Sequence, residues 1–179
     1  ILKWIVDIIM VVCLSFVLAT YMLGKTTVVG HSMEPTLENA DSLLIDKVSY
    51  CFKEPERYDV VVFVPNIANV SKYYVKRIVG LPGETVQIID GLVYINGEPL
   101  EDDVIYSFDL KDEDGNEMEP EKIYNAGLAS EPVTLGYDEY FVLGDNRNNS
   151  EDSRFANVGN VKYSSIIGRI WACLLYTSP

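Results

Sequence analysis

A long apolar run near the start of the chain constrains its architecture more than any other feature. The stretch Trp4–Leu23 is 20 residues long and holds one charged side chain, Asp7. As an α-helix it would be about 30 Å long, which matches the hydrocarbon core of a bilayer. A cleavable leader would have a shorter apolar region with a small-residue exit, a pattern that Gly24–Thr27 does not give. The run therefore predicts a retained transmembrane anchor over residues 1–25.

Beyond this run the composition is that of an ordinary folded domain. Of the 179 residues, 48% are apolar and 23% are charged, which excludes a wholly disordered chain. The formal net charge of −13 argues against duplex nucleic acid as a partner, because binding phosphates requires a basic surface. Cys13, Cys51 and Cys173 are too few and too scattered for a disulfide framework or a zinc site.

Much of the negative charge lies in one stretch. Residues 101–122 hold ten acidic side chains against Lys111 and Lys122. We interpret residues 101–122 as a solvated excursion from the fold, within an acidic insert of about residues 101–135. Calcium binding is the alternative, but the Asp-x-Asp-x-Asp-Gly spacing of a calcium-binding loop is absent from it.

After residue 25 the sequence changes to short runs typical of β-strands. Asp90-Gly91 and Asn96-Gly97 are turn pairs of the kind that close tight hairpins. No helix-period stretch of good length follows the apolar run. The strands predicted from these runs are Thr26–Val29, Ser42–Ile45, Val60–Val64, Tyr73–Val79, Thr85–Ile89, Leu92–Ile95, Tyr140–Leu143 and Ile166–Trp171.

The predicted fold class is therefore mainly β, a single N-terminal transmembrane helix followed by an antiparallel β-rich domain. We expect this domain to span residues 26–172 and to carry the acidic insert between strands. Residues 173–179 are left as an unassigned tail. Because the chain begins with Ile1 rather than methionine, we expect its natural N-terminus to be missing.

A serine in a glycine-bearing turn is the first candidate for chemistry. Ser32 follows a predicted strand, inside the segment Gly30–Leu37. Such a turn can expose a hydroxyl and free nearby N–H groups to hold an oxyanion. Most serines in turns only form local hydrogen bonds, so this stretch alone does not identify a nucleophile.

The base that such a serine would need is more constrained. His31 is the single histidine, and adjacent side chains in extended backbone point apart, so a Ser-His-Asp triad is not expected. A lysine can serve if burial lowers its pKa. Lys76 is the best candidate, because period-two alternation places it between Tyr74 and Ile78 on one face. Alternation alone, however, favours an exposed edge-strand lysine.

A polar loop supplies the third candidate region. Gly144–Arg154 follows the predicted strand Tyr140–Leu143 and is dense in hydrogen-bond donors and acceptors. This composition suits a hydrogen-bonded scaffold beside a site, although a plain surface loop has a similar composition.

Together, these stretches resemble the type I signal peptidases of bacteria. The resemblance covers roughly residues 1–172, apart from the acidic insert. It is carried by four blocks in order: Gly30–Leu37 with its Ser-Met-x-Pro-Thr core, Tyr58–Phe63, Tyr74–Glu84 and Gly144–Arg154. Each block alone is only weakly specific for the family, whereas the ordered set behind an apolar segment is highly specific.

The resemblance implies roles for the residues nearest the chemistry. Ser32 is expected to be the nucleophile and Lys76 the general base, while Ser150 falls on the serine that orients the lysine amine. Met33 falls on a position close to bound substrate. Gly30 stands where some members carry a serine that donates to the oxyanion, so the Ser32 N–H is expected to do more here. No metal or organic cofactor is implied.

The remaining matches are charged residues expected to brace the site. Asp145, Asp152 and Arg154 fall on such positions, and Arg77 is expected to pair with Asp145. Asn148 replaces an aspartate common in the family, with little consequence expected.

The function implied is removal of N-terminal signal peptides from secretory preproteins, with cleavage after small residues of the Ala-x-Ala type. The resemblance also implies a single-pass protein of the plasma membrane with its β domain outside the cytoplasm. Its partners would be preproteins and the lipid bilayer, and nucleic acid is not expected.

Two other classes of protein remain open. Another serine–lysine protease, such as a self-cleaving repressor of the DNA-damage response, would share the dyad but would be soluble. An inactive, membrane-tethered binding module would explain the anchor and the acidity, but not the ordered serine, lysine and polar loop.

Overall fold

The computed structural model describes residues 2–66, 72–100, 103 and 121–174, and for residues 2, 17–23 and 174 it describes the backbone alone. The chain begins with helix α1, Leu2–Met22, and passes directly into strand β1, Leu23–Thr27. Counting only the residues whose side chains are described, no helix is both long and apolar enough to cross a membrane.

The rest of the described chain is built from short strands and single 3₁₀ turns. The strands after β1 are β2 Ser42–Asp46, β3 Val60–Phe63, β4 Tyr74–Gly80, β5 Thr85–Ile89, β6 Leu92–Ile95, β7 Glu98–Pro99, β8 Val133–Thr134, β9 Glu139–Leu143, β10 Val161–Lys162 and β11 Ile166–Leu174. The 3₁₀ turns are Ser49–Cys51, Gly127–Ser130 and Tyr163–Ser165.

Two antiparallel sheets result from the pairing of these strands. The larger has the order β1-β2-β11-β3-β4-β9-β10, and the smaller has the order β7-β6-β5-β8. β4 and β5 are neighbours in sequence but lie in different sheets, so the chain crosses between the sheets after Gly80. The expectation of a mainly β, antiparallel fold is confirmed.

The central strands are apolar on both faces because each face covers a different core. In β9, Phe141 and Leu143 pack into a cluster shared with the smaller sheet, including Val86. Tyr140 and Val142, on the other face, pack with Val61, Phe63 and Ile78 of β3 and β4. Burial on both faces accounts for the nearly continuous apolar sequence of this strand.

All eight predicted strands are present; Thr85–Ile89 and Leu92–Ile95 have the predicted ends, and the other six differ at one end or at both. β1 begins at Leu23, inside the stretch expected to be anchor, and β11 continues to Leu174, into the stretch left unassigned. β7, β8 and β10 were not predicted, because two residues are too few to show an alternating pattern. The hairpin turn at Asp90-Gly91 is confirmed, with φ of 51° and 80°.

Candidate active site

The Ser32 turn rests on a small apolar cluster at the end of β1. Val28, Met33 and Leu37 are buried there against Leu43 of β2. Met33 is 1% exposed and also borders the cleft above the turn, so it fixes the floor beside Ser32. The apolar positions of the segment therefore anchor the turn while its serine faces the cleft.

Lys76 lies directly across from Ser32, on β4. Its strand position is opposite Val61 of β3, and its side chain is 4% exposed. The Lys76 Nζ donates a hydrogen bond to the Ser32 Oγ at 2.7 Å. The ring of Tyr74, two residues earlier on the same face, lies 5.5 Å from the ammonium nitrogen. Lys76 is thus a buried lysine rather than the exposed edge lysine that alternation alone favours.

Burial changes the acid–base properties of Lys76. Removal of the ammonium from water lowers the pKa of Lys76 to about 8, while the charges of Asp152, Glu151 and Asp145 act in the opposite direction. A substantial fraction of the amine is therefore neutral near physiological pH, and a neutral amine can accept a proton from the neighbouring hydroxyl.

His31 has no such contact with Ser32. Its Nδ1 lies 2.6 Å from Glu34 Oε1, and its side chain is 59% exposed. The expectation that adjacent His31 is badly placed to serve as the base is confirmed.

The polar loop Gly144–Arg154 holds the backbone of the Ser32 turn. The Asn146 N–H donates to the Ser32 carbonyl oxygen at 3.1 Å, and Asn146 Nδ2 donates to the His31 carbonyl oxygen at 3.1 Å. A Cβ on Gly144 would come within 2.4 Å of the Ser32 carbonyl oxygen, so this close approach requires glycine. The loop is a scaffold of the site rather than a plain surface loop.

A buried ion pair joins this loop to β4. Arg77 Nε and Nη2 donate to the two carboxylate oxygens of Asp145 at 2.8 and 2.6 Å. Thr36 Oγ1, from the Ser32 segment, donates to Asp145 Oδ2 at 2.5 Å. The predicted pairing of Arg77 with Asp145 is present, and the same carboxylate also secures the segment that contains Ser32.

A second buried pair lies within the loop itself. Asp152 accepts from Arg154 Nε at 2.8 Å and from the Gly144 N–H at 3.1 Å. Arg154 Nη2 also donates to the Arg147 carbonyl oxygen at 2.6 Å. Both side chains are nearly inaccessible to solvent, so each neutralises a charge that would otherwise be costly to bury.

The hydroxyl oxygen of Ser150 is buried at the same place, in a residue that is itself only partly buried, and it has no hydrogen-bond partner in the described part of the chain. Its Oγ lies 2.2 Å from where a Cβ on Gly144 would stand. The structure therefore brings Ser150 beside Gly144 but gives it no hydrogen bond to Lys76. Its expected role in orienting the amine stays a prediction.

The backbone N–H groups of Gly30 and Ser32 differ in whether they are already hydrogen-bonded. The Gly30 N–H donates to Asn39 Oδ1 at 2.9 Å and is therefore occupied. The Ser32 N–H has no acceptor among the described residues. Gly30 has a φ of +111°, and a Cβ there would meet nothing within 4 Å. The arrangement leaves the Ser32 N–H as the available donor beside the hydroxyl.

Sequence reasoning missed the pair formed by Arg147 and Asp103. Arg147 donates through Nη1 and Nη2 to both oxygens of Asp103, at 2.6 and 2.7 Å. Asp103 is 4% exposed, so the interpretation of the insert as solvated is wrong at this residue. Glu121 and Glu131 are exposed, and the other acidic residues of the insert lie outside the described residues. An isolated aspartate in an acidic run carries no signal of such a partner.

Asn148 uses its amide in a way that an aspartate could not. Its Nδ2 donates to the Lys122 carbonyl oxygen at 3.0 Å and to Glu121 Oε2 at 3.2 Å. Its Oδ1 accepts from the Tyr124 N–H at 3.0 Å. The C-terminal side of the insert is thereby held on the polar loop.

An open cleft of about 540 Å³ runs over the Ser32–Lys76 contact. One wall is the chain from Thr26 to Met33, and the other includes Lys72–Lys76. β9 pairs with β4 only from Arg77 onward, so among the described strands nothing pairs with Tyr74–Lys76 on the cleft side. An unpaired strand edge offers backbone donors and acceptors to an extended peptide.

No group of three or more His, Cys, Asp or Glu side chains within the described ranges is placed to hold a metal ion. The chemistry present is a hydroxyl, a buried amine and a backbone N–H around a cleft with a free strand edge. These features define a class: a β-sheet protein with a serine–lysine pair suited to acyl transfer.

Comparison with known proteins gives the family. The sequence model described as "Signal peptidase, peptidase S26" matches residues 1–175. The chain therefore belongs to the type I signal peptidases of family S26, which are serine endopeptidases.

The chain is similar to individual curated relatives and to a solved structure. The chain is 40% identical over 164 residues to "Signal peptidase I" of Leptolyngbya laminosa, covering 88% of this chain and 71% of the relative. It is 32% identical over 174 residues to "Signal peptidase IB" of Staphylococcus aureus (strain COL), covering 95% and 87%. A crystal structure of a signal peptidase I from Enterococcus faecalis V583 is 36% identical, covers 65% of this chain and 97% of that one, and superposes with a TM-score of 0.46.

Proposed function

We propose that this chain removes signal peptides from secretory preproteins by a Ser32/Lys76 dyad. The observation that carries the proposal is the 2.7 Å contact between the Lys76 amine and the Ser32 hydroxyl, made by a lysine that is 4% exposed. Family membership supports the substrate class, since members are signal peptidases.

The proposed reaction begins with neutral Lys76. The Ser32 hydroxyl proton passes to Lys76 Nζ as Oγ attacks the scissile carbonyl carbon. The Ser32 N–H stabilises the negative charge that develops on the carbonyl oxygen. Lys76 then returns its proton to the leaving amine, and the acyl-enzyme remains on Ser32. The same amine then takes a proton from water as the water oxygen attacks the acyl carbon, and it passes that proton to Ser32 Oγ as the bond between Oγ and the acyl carbon breaks.

The cleft supports a substrate bound in extended form. The unpaired edge of Tyr74–Lys76 can add a peptide as a further strand, which places a backbone carbonyl near Ser32. We propose that shallow pockets beside Ser32 admit alanine and reject bulk, so that cleavage follows small residues at the first and third positions before the cut.

We also propose that α1 anchors the enzyme in the plasma membrane with the β domain on the extracytoplasmic side. Apolar side chains are exposed around the described part of the helix: Trp4, Ile5, Val6, Ile8, Ile9, Met10, Val11, Val12, Leu14 and Phe16. A helix that is apolar on all sides requires an apolar environment. Anchoring would hold the cleft near membrane-bound signal peptides and raise their effective concentration.

Cleavage of a preprotein tests the proposal. A preprotein with an Ala-x-Ala site is incubated with the full chain in detergent or vesicles, and the products are identified by mass spectrometry. We expect a single cut after the second alanine, and no cut when that alanine is replaced by a bulky residue. A folded enzyme that leaves the preprotein intact would contradict the proposal and favour an inactive binding module.

A further inference from the structure

Asp103 lies outside all four sequence blocks that carry the family resemblance, yet its side chain is as buried as that of the lysine in the site. It is 4% exposed and lies in the acidic insert, directly after Glu101 and Asp102. A carboxylate is rarely buried to this extent unless a charged partner compensates it.

The partner is Arg147 of the polar loop. The two guanidinium Nη atoms bind the two oxygens of Asp103 at 2.6 and 2.7 Å, and each side chain is 3% exposed. Two parallel bonds from a planar guanidinium fix its orientation as well as its position. With both Nη atoms engaged by Asp103, the direction of the remaining Nε–H of Arg147 is also fixed.

That Nε–H donates to the Gly144 carbonyl oxygen at 3.1 Å. Gly144 is the residue whose Cα lies against the Ser32 carbonyl oxygen and the Ser150 hydroxyl. The orientation of one peptide group in the polar loop therefore depends on a carboxylate in the insert, and the backbone of Ser32 lies against that same glycine.

We infer that Asp103 is a positioning residue for Ser32, acting through the side chain of Arg147 and the peptide group of Gly144. The inference rests on the proposed role of Ser32 as the nucleophile. Small errors in the placement of a reacting group reduce the rate steeply, and a residue that is remote from the reaction can therefore control it.

The rest of the polar loop is held by hydrogen bonds that do not involve Asp103, so an effect on the position of Ser32 can be distinguished from an effect on folding. Asp152 and Arg154 are bonded to each other, and Arg154 holds the Arg147 carbonyl oxygen without involving Asp103. Loss of the Asp103 charge should therefore leave the loop folded while the Gly144 carbonyl loses a fixed donor.

The test compares Asp103→Asn with a matched control, Glu84→Gln. Glu84 also receives two bonds from an arginine, Arg57, at 2.6 and 3.0 Å, but this pair lies beyond the far end of β4 from Lys76. For both variants, the wild type and Ser32→Ala, kcat, KM and the pH midpoint of kcat are measured on a signal-peptide substrate, together with thermal unfolding of the full chain.

We expect Asp103→Asn to lower kcat by about tenfold or more, with KM and the pH midpoint unchanged, and Glu84→Gln to keep kcat within about twofold. A rise of the pH midpoint of kcat toward the pKa of a hydrated lysine would mean that Lys76 has become exposed to water. That result would overturn the inference. Wild-type kcat in Asp103→Asn, or an equal loss in Glu84→Gln, would overturn it as well.

If Asp103→Asn does not fold, Arg147→Lys replaces it. This variant keeps a cation opposite Asp103 but removes the planar group that reaches Gly144, so we expect the same loss of kcat in a folded protein. Wild-type kcat in Arg147→Lys overturns the inference. Inactivity of the wild type itself would contradict the proposed function. If activity is lost only in Ser32→Ala, the proposed function stands and only the positioning role of Asp103 is rejected.

Discussion

The Cα of Gly144 lies directly against the carbonyl oxygen of Ser32, so close that an added Cβ would stand 2.4 Å from it. The same Cβ would stand 2.2 Å from the Ser150 hydroxyl. The polar loop and the Ser32 turn therefore fit together at a residue without a side chain, and the geometry of the site depends on that fit.

Replacing this glycine should displace Ser32. We expect Gly144→Ala to lose about a hundredfold in kcat/KM, because the backbone of Ser32 must move, and to lose about 1–3 kcal/mol in the free energy of unfolding. Peptide cleavage and urea unfolding measure the two effects. Gly136→Ala is the control, since its Cβ would meet only the flexible end of Glu139 at 3.3 Å. Equal activity in the two variants would contradict the prediction.

The pH dependence of the reaction should follow Lys76. Burial lowers the pKa of Lys76 to about 8, and only the neutral amine can take the Ser32 proton. We expect kcat/KM to rise about tenfold per pH unit below this value and to level above it. Rates of peptide cleavage across the range measure the midpoint. A profile that is flat down to mildly acidic pH would exclude Lys76 as the base.

The lowered pKa of Lys76 should also appear in the pH dependence of the free energy of unfolding. Folding lowers the pKa of Lys76 from 10.5 to about 8, so between these values the unfolded chain binds more protons and stability rises with pH. Relative to Lys76→Met, the wild type should gain about 3 kcal/mol across this window. Urea unfolding of both proteins at a series of pH values gives the difference. A constant difference would show that the folded lysine titrates normally.

Breaking the buried ion pair of Arg77 and Asp145 should lower the free energy of unfolding strongly. Asp145→Asn leaves the buried Arg77 guanidinium without its charge partner, and we expect a loss of about 3–5 kcal/mol in the free energy of unfolding. Glu56→Gln, which breaks an exposed pair with Lys53, should cost about 0–1 kcal/mol. Denaturant unfolding measures the loss in each variant. Losses of similar size would contradict the prediction that breaking the buried pair costs more than breaking the exposed one.

Most of the fold could be predicted from the sequence because turn pairs and alternating apolar residues mark its longer strands. Asp90-Gly91 marks a hairpin through the backbone conformation that this pair tolerates, and the strands flanking it alternate visibly. β7, β8 and β10 could not be predicted, since two-residue strands are defined by their partners rather than by their own sequence.

The site was less accessible to local reasoning. Alternation placed Lys76 on a face with Tyr74 but could not establish its burial, which depends on the Ser32 turn packing over it. Only the resemblance connected the two residues. The pair of Asp103 with Arg147 joins positions 44 residues apart, and nothing in the spacing of an acidic run identifies which carboxylate will be buried.

The central claim is that Lys76 activates Ser32, and the most direct measurement is kcat/KM for Ser32→Ala and Lys76→Met on one signal-peptide substrate. Both substitutions should lower it by about a thousandfold or more, because each removes one half of the same proton transfer. Circular dichroism establishes that both variants are folded. Activity within about tenfold of the wild type in a folded Lys76→Met would contradict the account, whatever the outcome for Ser32→Ala.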